Sequence, residues 1–422
     1  MTSPRDTQKH AHRWALHYQA GLSVPPFAAA TWLRPVGISR AADPAASGPG
    51  FFPLAGGALA FHQLDVVMAG GAASGPQPYF EVWRCSVAEL LAACSSRADR
   101  ATAEAWLDRV TRPRPPFAGL SMSGLSMTGL SMTGLSSSGL SSSGLSLSGL
   151  EMGKALARPH IMGILNVTPD SFSDGGQNYA TETALAHARQ MAAEGAAILD
   201  IGGESTRPGA DPVSRDEELA RIRPVIRELA AEGLLVSADT RHSAVMEAAH
   251  QAGARIINDV GGFRDAGSAD LMARQFSAQP ENAFAIAMHM QGEPGTMQKD
   301  PHYRFAPLDV YEWLAERIAV LEAAGLPRSH IAVDPGFGFG KTVADNLALI
   351  SWAGLLHGLG VPVLIGASRK SSIGMLDGGA AAGQRLGGSL ALACRAAGQG
   401  AQMIRVHDVP ETRQALTVWQ AG

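Results

Sequence analysis

The chain has 422 residues, 46% hydrophobic and 17% charged, enough apolar content for a sizeable core and more length than one typical domain, so two folded units are expected. Its formal charge of -4, with no dense Lys/Arg run, argues against nucleic acid or an anionic membrane as a partner, so any anionic ligand must be held by local groups. No apolar run approaches the roughly 20 residues that span a bilayer, the amino terminus lacks a signal-peptide core, and Cys85, Cys94 and Cys394 form no CxxC pair, which together lead us to expect a soluble cytoplasmic protein with reduced, buried thiols.

From about residue 30 to 112 the chain carries strand-like pieces, TWLRPVGI, LAFHQLDVVM and PYFEVWRC, followed by helical patterns at VAELLAACSS and ATAEAWLDRVT. This predicts a small α+β module over residues 1–118. It holds no defensible set of nucleophile, base or metal ligands, and its lone His62 reads as a surface or packing residue. Residues 119–155 then turn into a five-residue repeat, GLSMS, GLSMT, GLSMT, GLSSS, GLSSS, GLSLS, GLEMG. A short β-helix would use the recurring Leu, but seven units make fewer than two coils; a Gly/Ser/Leu-rich linker is the expectation.

Beyond Pro159 short β-branched runs alternate with helical stretches. Eight strands are expected, at IMGILNV, AILDIG, LLVSAD, RIINDV, AFAIAMHM, HIAVDPG, PVLIGAS and MIRVHDV. Helices such as TETALAHARQMAAEG, RDEELARIRPVIRELAAEG and SAVMEAAHQAG lie between them, each closed by Gly. Eight such units over residues 156–422 match a (β/α)8 TIM barrel, whose usual size is about 250 residues. A doubly wound open sheet fits less well, because every strand, rather than those at one switch point, leads into polar residues.

The strand exits, in order, are Asn166; Glu204, Ser205, Thr206 and Arg207; Asp239; Asn258; His289 and Gln291; Asp334; Ser368, Arg369 and Lys370; and Arg405 with His407. A closed barrel would converge them on one mouth. Any one could instead cap a helix, and for Asp239 the neighbouring Ser243 is the competing cap. The carboxylates and amides suit a flat heterocycle with donor edges, an aminopyrimidine-like ring; the cations at strands seven and eight suit phosphate, at the place where barrels commonly bind it. DPGFGFGKT, residues 334–342, imitates a phosphate loop, but Pro335 stands where the first Gly is required. Gly336, Gly338 and Gly340 are better read as letting Phe337, Phe339 and the backbone approach a ligand or form a rigid turn. No Cys/His metal spacing and no Ser-His-Asp elbow is present; a magnesium ion arriving with a phosphate would need few protein ligands.

The motifs NVTPDSFSDGG at 166–176, DIGGESTRPGA at 200–210, INDVGG at 258, HMQGEPGTMQ at 289, DPGFGFGK at 334–341, GASRKSSIG at 366 and RVHDV at 405 together resemble those of the dihydropteroate synthases. The resemblance covers about residues 159–422. It implies a pterin-binding barrel that joins 6-hydroxymethyl-7,8-dihydropterin diphosphate to 4-aminobenzoate, giving 7,8-dihydropteroate and pyrophosphate in folate synthesis. It also implies that Asp239, Asn258, Asp334 and Lys370 contact the pterin, and that Asn166, Arg405 and His407 hold the diphosphate, with Mg2+ on Asn166. Phe172, Thr206, Arg207 and Pro208 would shape loops over the aminobenzoate, whose pocket Phe339, Lys370 and Ser371 would line. Lys370, Asp239 and Arg405 are then the catalytic candidates, the partners are the two small substrates, and a homodimer is expected. The segments GQRLGGSLALA at 383–393 and ADTRH at 238–242 depart from the family's pattern, and neither is expected to touch an assigned residue. A methyltetrahydrofolate methyltransferase would lack the TPDSFSDGG and ESTRPG loops. A non-catalytic pterin-binding paralogue would be expected to lose Asn166, Lys370 or Arg405.

Overall fold

The computed structural model describes residues 15–19, 31–40, 52–55, 59–69, 79–94, 96–122, 158–167, 176–204, 213–293 and 295–421. The repeat beyond Met122 lies outside the described residues, as do Phe172, Thr206, Arg207 and Pro208.

In the amino-terminal module, strands β1 (Ala15–Gln19), β2 (Thr31–Val36), β3 (Ser39–Arg40), β4 (Phe52–Pro53), β5 (Leu59–Phe61), β6 (Gln63–Ala69) and β7 (Tyr79–Cys85) precede helices α1 (Val87–Ala93) and α2 (Arg97–Thr111). A four-stranded sheet runs β1-β7-β6-β2, and β3, β5 and β4 form a smaller one. Both helices begin with capping boxes, Ser86 with Glu89 and Ser96 with Asp99, which satisfy backbone donors that the first turn would otherwise leave open. Alternation along the strands gives the main sheet two apolar faces. Leu33, Leu64, Val66 and Trp83 pack on Leu90, Trp106 and Val110 of the module's own helices. The opposite face, Trp32, Val67, Phe80 and Val82, packs on Leu308, Trp352 and Leu355 of the carboxyl-terminal domain. Arg109 and Arg114 add hydrogen bonds to the carbonyls of Gly358 (2.8 Å) and His357 (2.9 Å).

The carboxyl-terminal domain contains eight parallel strands: β8 (His160–Asn166), β9 (Ile198–Gly202), β10 (Val236–Asp239), β11 (Ile256–Asp259), β12 (Phe284–Met288), β13 (Ile331–Asp334), β14 (Leu364–Ile365) and β15 (Met403–Val406). Hydrogen-bonded neighbours run β13-β12-β11-β10-β9-β8-β15-β14, and a parallel bridge from Val333 to Val363 closes β13 onto β14. The expected (β/α)8 barrel is therefore present. Helices α3 (Gly176–Glu194), α4 (Arg215–Ala231), α5 (Ser243–Gln251), α6 (Ser268–Ala278), α7 (Ala306–Ala324), α8 (Val343–Ser351), α9 (Ser371–Leu376), α10 (Leu386–Gly398) and α11 (Val409–Ala421) complete it. None of the described helices is long and apolar enough to cross a membrane.

Period-two alternation divides each barrel strand between two cores. Ile161, Leu165, Leu199, Ile201, Val236 and Val333 join the helices. Met162, Ile198, Ile256, Phe284, Ile286, Ala332, Leu364 and Met403 meet one another near the strands' amino ends, and Phe117, Ala118 and Met122 pack into that same cluster. Residues 117–122 straddle the expected module–linker boundary, and they close the barrel floor. Phe117 stands edge-on to Phe284 at 5.1 Å between centroids, and the Ser121 carbonyl lies 2.7 Å from His160 Nε2.

Candidate active site

Two residues further along the same inward rows, the side chains change from apolar to charged. Asp200 follows Ile198, Asn258 follows Ile256, Asp334 follows Ala332 and Arg405 follows Met403; Asp239 ends β10. Arg405 spans two strands: its Nε donates to Asp200 Oδ2 and its Nη2 to Asp239 Oδ2, both at 2.6 Å. Asn258 Nδ2 donates to the same Asp200 oxygen at 3.0 Å. Asp200 is completely buried, and among the described residues neither its Oδ1 nor that of Asp239 has a hydrogen-bond partner. Neither Asp239 nor Ser243 caps the helix that follows. The N-cap is His242 without a side-chain bond, and the Ser243 N–H is taken by Asp265 at 2.8 Å.

Burial pushes the Asp239 carboxyl up to about 7, a rise that Arg405 opposes and Asp200 reinforces. Burial likewise raises Asp334 to about 6, although the Gly336 N–H donates to its Oδ1 at 2.7 Å. For Arg405, burial acts downward, but Asp200 and Asp239 outweigh it and hold the guanidinium above its ordinary value.

The false phosphate loop has a structural purpose. Gly336 and Gly340 have φ of 68° and 61°, and a Cβ there would fall 1.9 Å from the His289 carbonyl oxygen and 2.5 Å from that of Gln291. Lys341 then pins the turn from inside, its buried Nζ donating to the carbonyls of Gly336 and Phe339 at 2.9 Å each and lying 2.9 Å from His289 Nδ1. Asn346 accepts from the Gly338 N–H at 2.7 Å and donates to Ser372 Oγ at 3.0 Å, which ties the turn to α9. Phe339 is thereby presented to Lys370, whose Nζ sits 3.9 Å from the ring centroid, a cation–π contact. Ser368 Oγ lies 3.1 Å from His407 Nδ1 and accepts the His407 N–H at 3.2 Å.

These walls enclose a cleft of about 380 Å³ lined by Asn166, Asp239, Phe339, Ser368, Lys370, Ser371, Arg405 and His407, together with Met297, Gly366 and Arg385. Asn258 and Asp334, 3% and 5% exposed, lie beneath that lining rather than in it. Asp334 is nonetheless close to the lining, because a Cβ on Gly366 would come within 3.6 Å of both Asp334 Oδ2 and Arg405 Cβ. Not every exit reaches the cleft. His289 is buried against Lys341, Gln291 faces a separate groove and bonds to His302, and Glu204 is paired with Arg241 at 3.2 Å. From the departing segment 383–393, Arg385 lines the cleft and donates to the Arg369 carbonyl (2.9 Å), and in the other the Thr240 N–H of the intact Asp-Thr pair donates to the Asn258 carbonyl (3.2 Å).

Asp200, Lys341, Met297 and Arg385 escaped the sequence reading. Asp200 is one period-two step before a glycine inside an apolar strand, and its inward register is the signal that could have found it. For a metal, Asn166 is a neutral oxygen ligand on the cleft wall, suited to an ion whose other ligands are phosphate and water. Glu204, Glu218 and His242 also bring ligand atoms within 4.8 Å of one another, but the Glu204 carboxylate already holds Arg241.

The comparisons with known proteins agree with this geometry. A family model described as pterin binding enzyme matches residues 162–407. The dihydropteroate synthase of Neisseria meningitidis serogroup B is 49% identical over 271 residues, covering 63% of this chain and 93% of that one. The Escherichia coli K12 enzyme is 44% identical over 268 residues, covering 63% and 92%. Among solved structures, Xanthomonas albilineans dihydropteroate synthase with 4-aminobenzoic acid superposes with a TM-score of 0.58 at 49% identity, covering 63% of this chain and 93% of that one. The Burkholderia cenocepacia enzyme complexed with 7,8-dihydropteroate gives 0.56 at 46% identity, covering 63% and 91%. The polar layer above an apolar barrel floor and these matches lead to one conclusion: the chain belongs to the pterin binding enzyme family, among the dihydropteroate synthases.

Proposed function

We propose that the barrel mouth joins 6-hydroxymethyl-7,8-dihydropterin diphosphate to 4-aminobenzoate with the following division of labour. Asp239, Asn258 and Asp334 accept the pterin's N–H donors, and Lys370 borders the ring. Two buried carboxylates and an amide in one layer carry this reading, because such acceptors are stable only when charge-paired or facing donors. Arg405 and His407 receive the diphosphate, for which a guanidinium fork is suited. Asn166 would supply one oxygen to a magnesium ion, which, when bound, neutralises phosphate charge. Phe339 and Ser371 border the aminobenzoate, with Phe172, Thr206, Arg207 and Pro208 assigned to the loops over it.

The C–O bond to the diphosphate breaks and the aminobenzoate nitrogen forms the new C–N bond. Its lone pair supplies the electrons, the leaving pyrophosphate takes the old pair, and the surplus amine proton passes to pyrophosphate or water. Charge that develops on the pterin methylene is spread into the electron-rich ring facing Asp239 and Asp334. No protein nucleophile is needed. A pyrophosphate-release assay that omits each substrate and the magnesium in turn tests the assignment. Release without aminobenzoate would point instead to a diphosphohydrolase.

A further inference from the structure

We propose that Asp200 is a positioning residue that keeps Arg405 charge-paired while the rest of the guanidinium changes partners. This rests on the assignments above. Asp200 is fully buried beneath the cleft, and the side chains it bonds, Arg405 and Asn258, are both assigned to the ligand. Its Oδ2 accepts from both Arg405 Nε (2.6 Å) and Asn258 Nδ2 (3.0 Å).

Two consequences follow from that single oxygen. First, Arg405 Nη2 occupies one oxygen of Asp239, the carboxylate that the pterin's N–H groups require, and leaves the other open. A ring that engages both oxygens displaces that contact, and a guanidinium that lost its only paired carboxylate in a buried site would be costly. Asp200 remains, so Arg405 can swing its Nη ends toward the diphosphate about a fixed Nε anchor. Second, because Asn258 spends its NH2 group on Asp200, its amide oxygen is the end left for a donor-rich ligand. One buried carboxylate thus sets the polarity of a pterin contact and the stance of a phosphate contact.

A mutant cycle in the full-length chain tests this, with kcat/KM for the pterin diphosphate at saturating aminobenzoate as the readout. Asp200→Asn is expected to lower kcat/KM about 30-fold or more in the native background and less than about threefold in an Arg405→Ala background, because its action passes through that side chain. Equal factors in both backgrounds, or a loss under about threefold in the native one, overturn the proposal. If Asp200→Asn does not fold, Asp200→Ser is made in the same two backgrounds, with the same unequal factors expected and equal factors overturning the proposal. Turnover by the unsubstituted chain tests the synthase assignment itself, so the two can fail separately.

Discussion

Arg405 Nη2 and Asp239 Oδ2 are hydrogen-bonded at 2.6 Å across the mouth of the barrel, from β15 to β10. The pair joins a residue assigned to the diphosphate with one assigned to the pterin. The two subsites therefore share a charge.

Catalysis should fail on the acid side. Burial lifts Asp239 to about 7 and Asp334 to about 6, so both carboxylates are ionised above that range and protonated as pH falls through it. Protonation removes an acceptor, so kcat/KM should rise from pH 5 to a plateau near 8, with apparent values belonging to the coupled set. Without the guanidinium, burial acts on Asp239 less opposed, so in Arg405→Ala the limb should move upward in pH. An unshifted limb in that variant would show that Arg405 does not govern Asp239.

The subsites should also separate in binding. Asp334→Asn replaces a charged acceptor by an amide, and free hydroxymethyl dihydropterin and its diphosphate should both bind about 2–3 kcal/mol more weakly. Arg405→Ala should weaken the diphosphate and pyrophosphate more than free pterin, because a charge-assisted contact to phosphate is lost. Calorimetric titration of both variants decides this; equal losses for free pterin and diphosphate in Arg405→Ala would merge the subsites.

Lys341→Met should show that the glycine-rich turn is held from within. The substitution removes the buried donor from both carbonyls; Gly336 keeps the Phe339 N–H at 3.1 Å, but the Phe339 carbonyl loses its Lys341 bond, and an orphaned acceptor costs about 1–3 kcal/mol. We expect a lower melting temperature and a raised KM for aminobenzoate through displacement of Phe339. A variant with native stability would mean that the turn holds itself.

Much of this architecture could be read from residue types alone. Eight apolar runs ending in polar residues specify a barrel, and Asp239, Asn258, Asp334 and Arg405 stand at the exits because catalytic groups in this fold come from strand ends. Asp200 was hidden because a carboxylate in the middle of ILDIG resembles an interruption of the core, and only its register with Ile198 puts it inside. Lys341 was hidden by its likeness to a nucleotide motif. The packing of Phe117 and Met122 under the barrel could not be foreseen, since they border a Gly/Ser repeat whose composition suggests a linker, and long-range contacts leave no local periodicity.

That floor gives a stability prediction. Phe117 is fully buried among barrel residues, at the end opposite the cleft. Phe117→Ala should cost about 3–5 kcal/mol of stability by leaving a cavity, with kcat/KM per folded molecule unchanged. Deleting residues 1–150 should go further and expose Trp352, Leu355 and Leu308 as well as the floor, so that the barrel loses solubility or melts earlier while the folded fraction keeps its activity. Denaturation of both forms, with activity normalised to folded protein, checks this. Native stability after Phe117→Ala would show that the floor contact contributes little.

The most direct test of the central claim is product formation by the full-length chain. With pterin diphosphate, 4-aminobenzoate and Mg2+ together, equimolar 7,8-dihydropteroate and pyrophosphate should appear, neither should form when any of the three is withheld, and a sulfonamide should compete with the aminobenzoate. Full activity without Mg2+, or turnover of a methylated folate with a corrinoid acceptor in place of these substrates, would contradict the account.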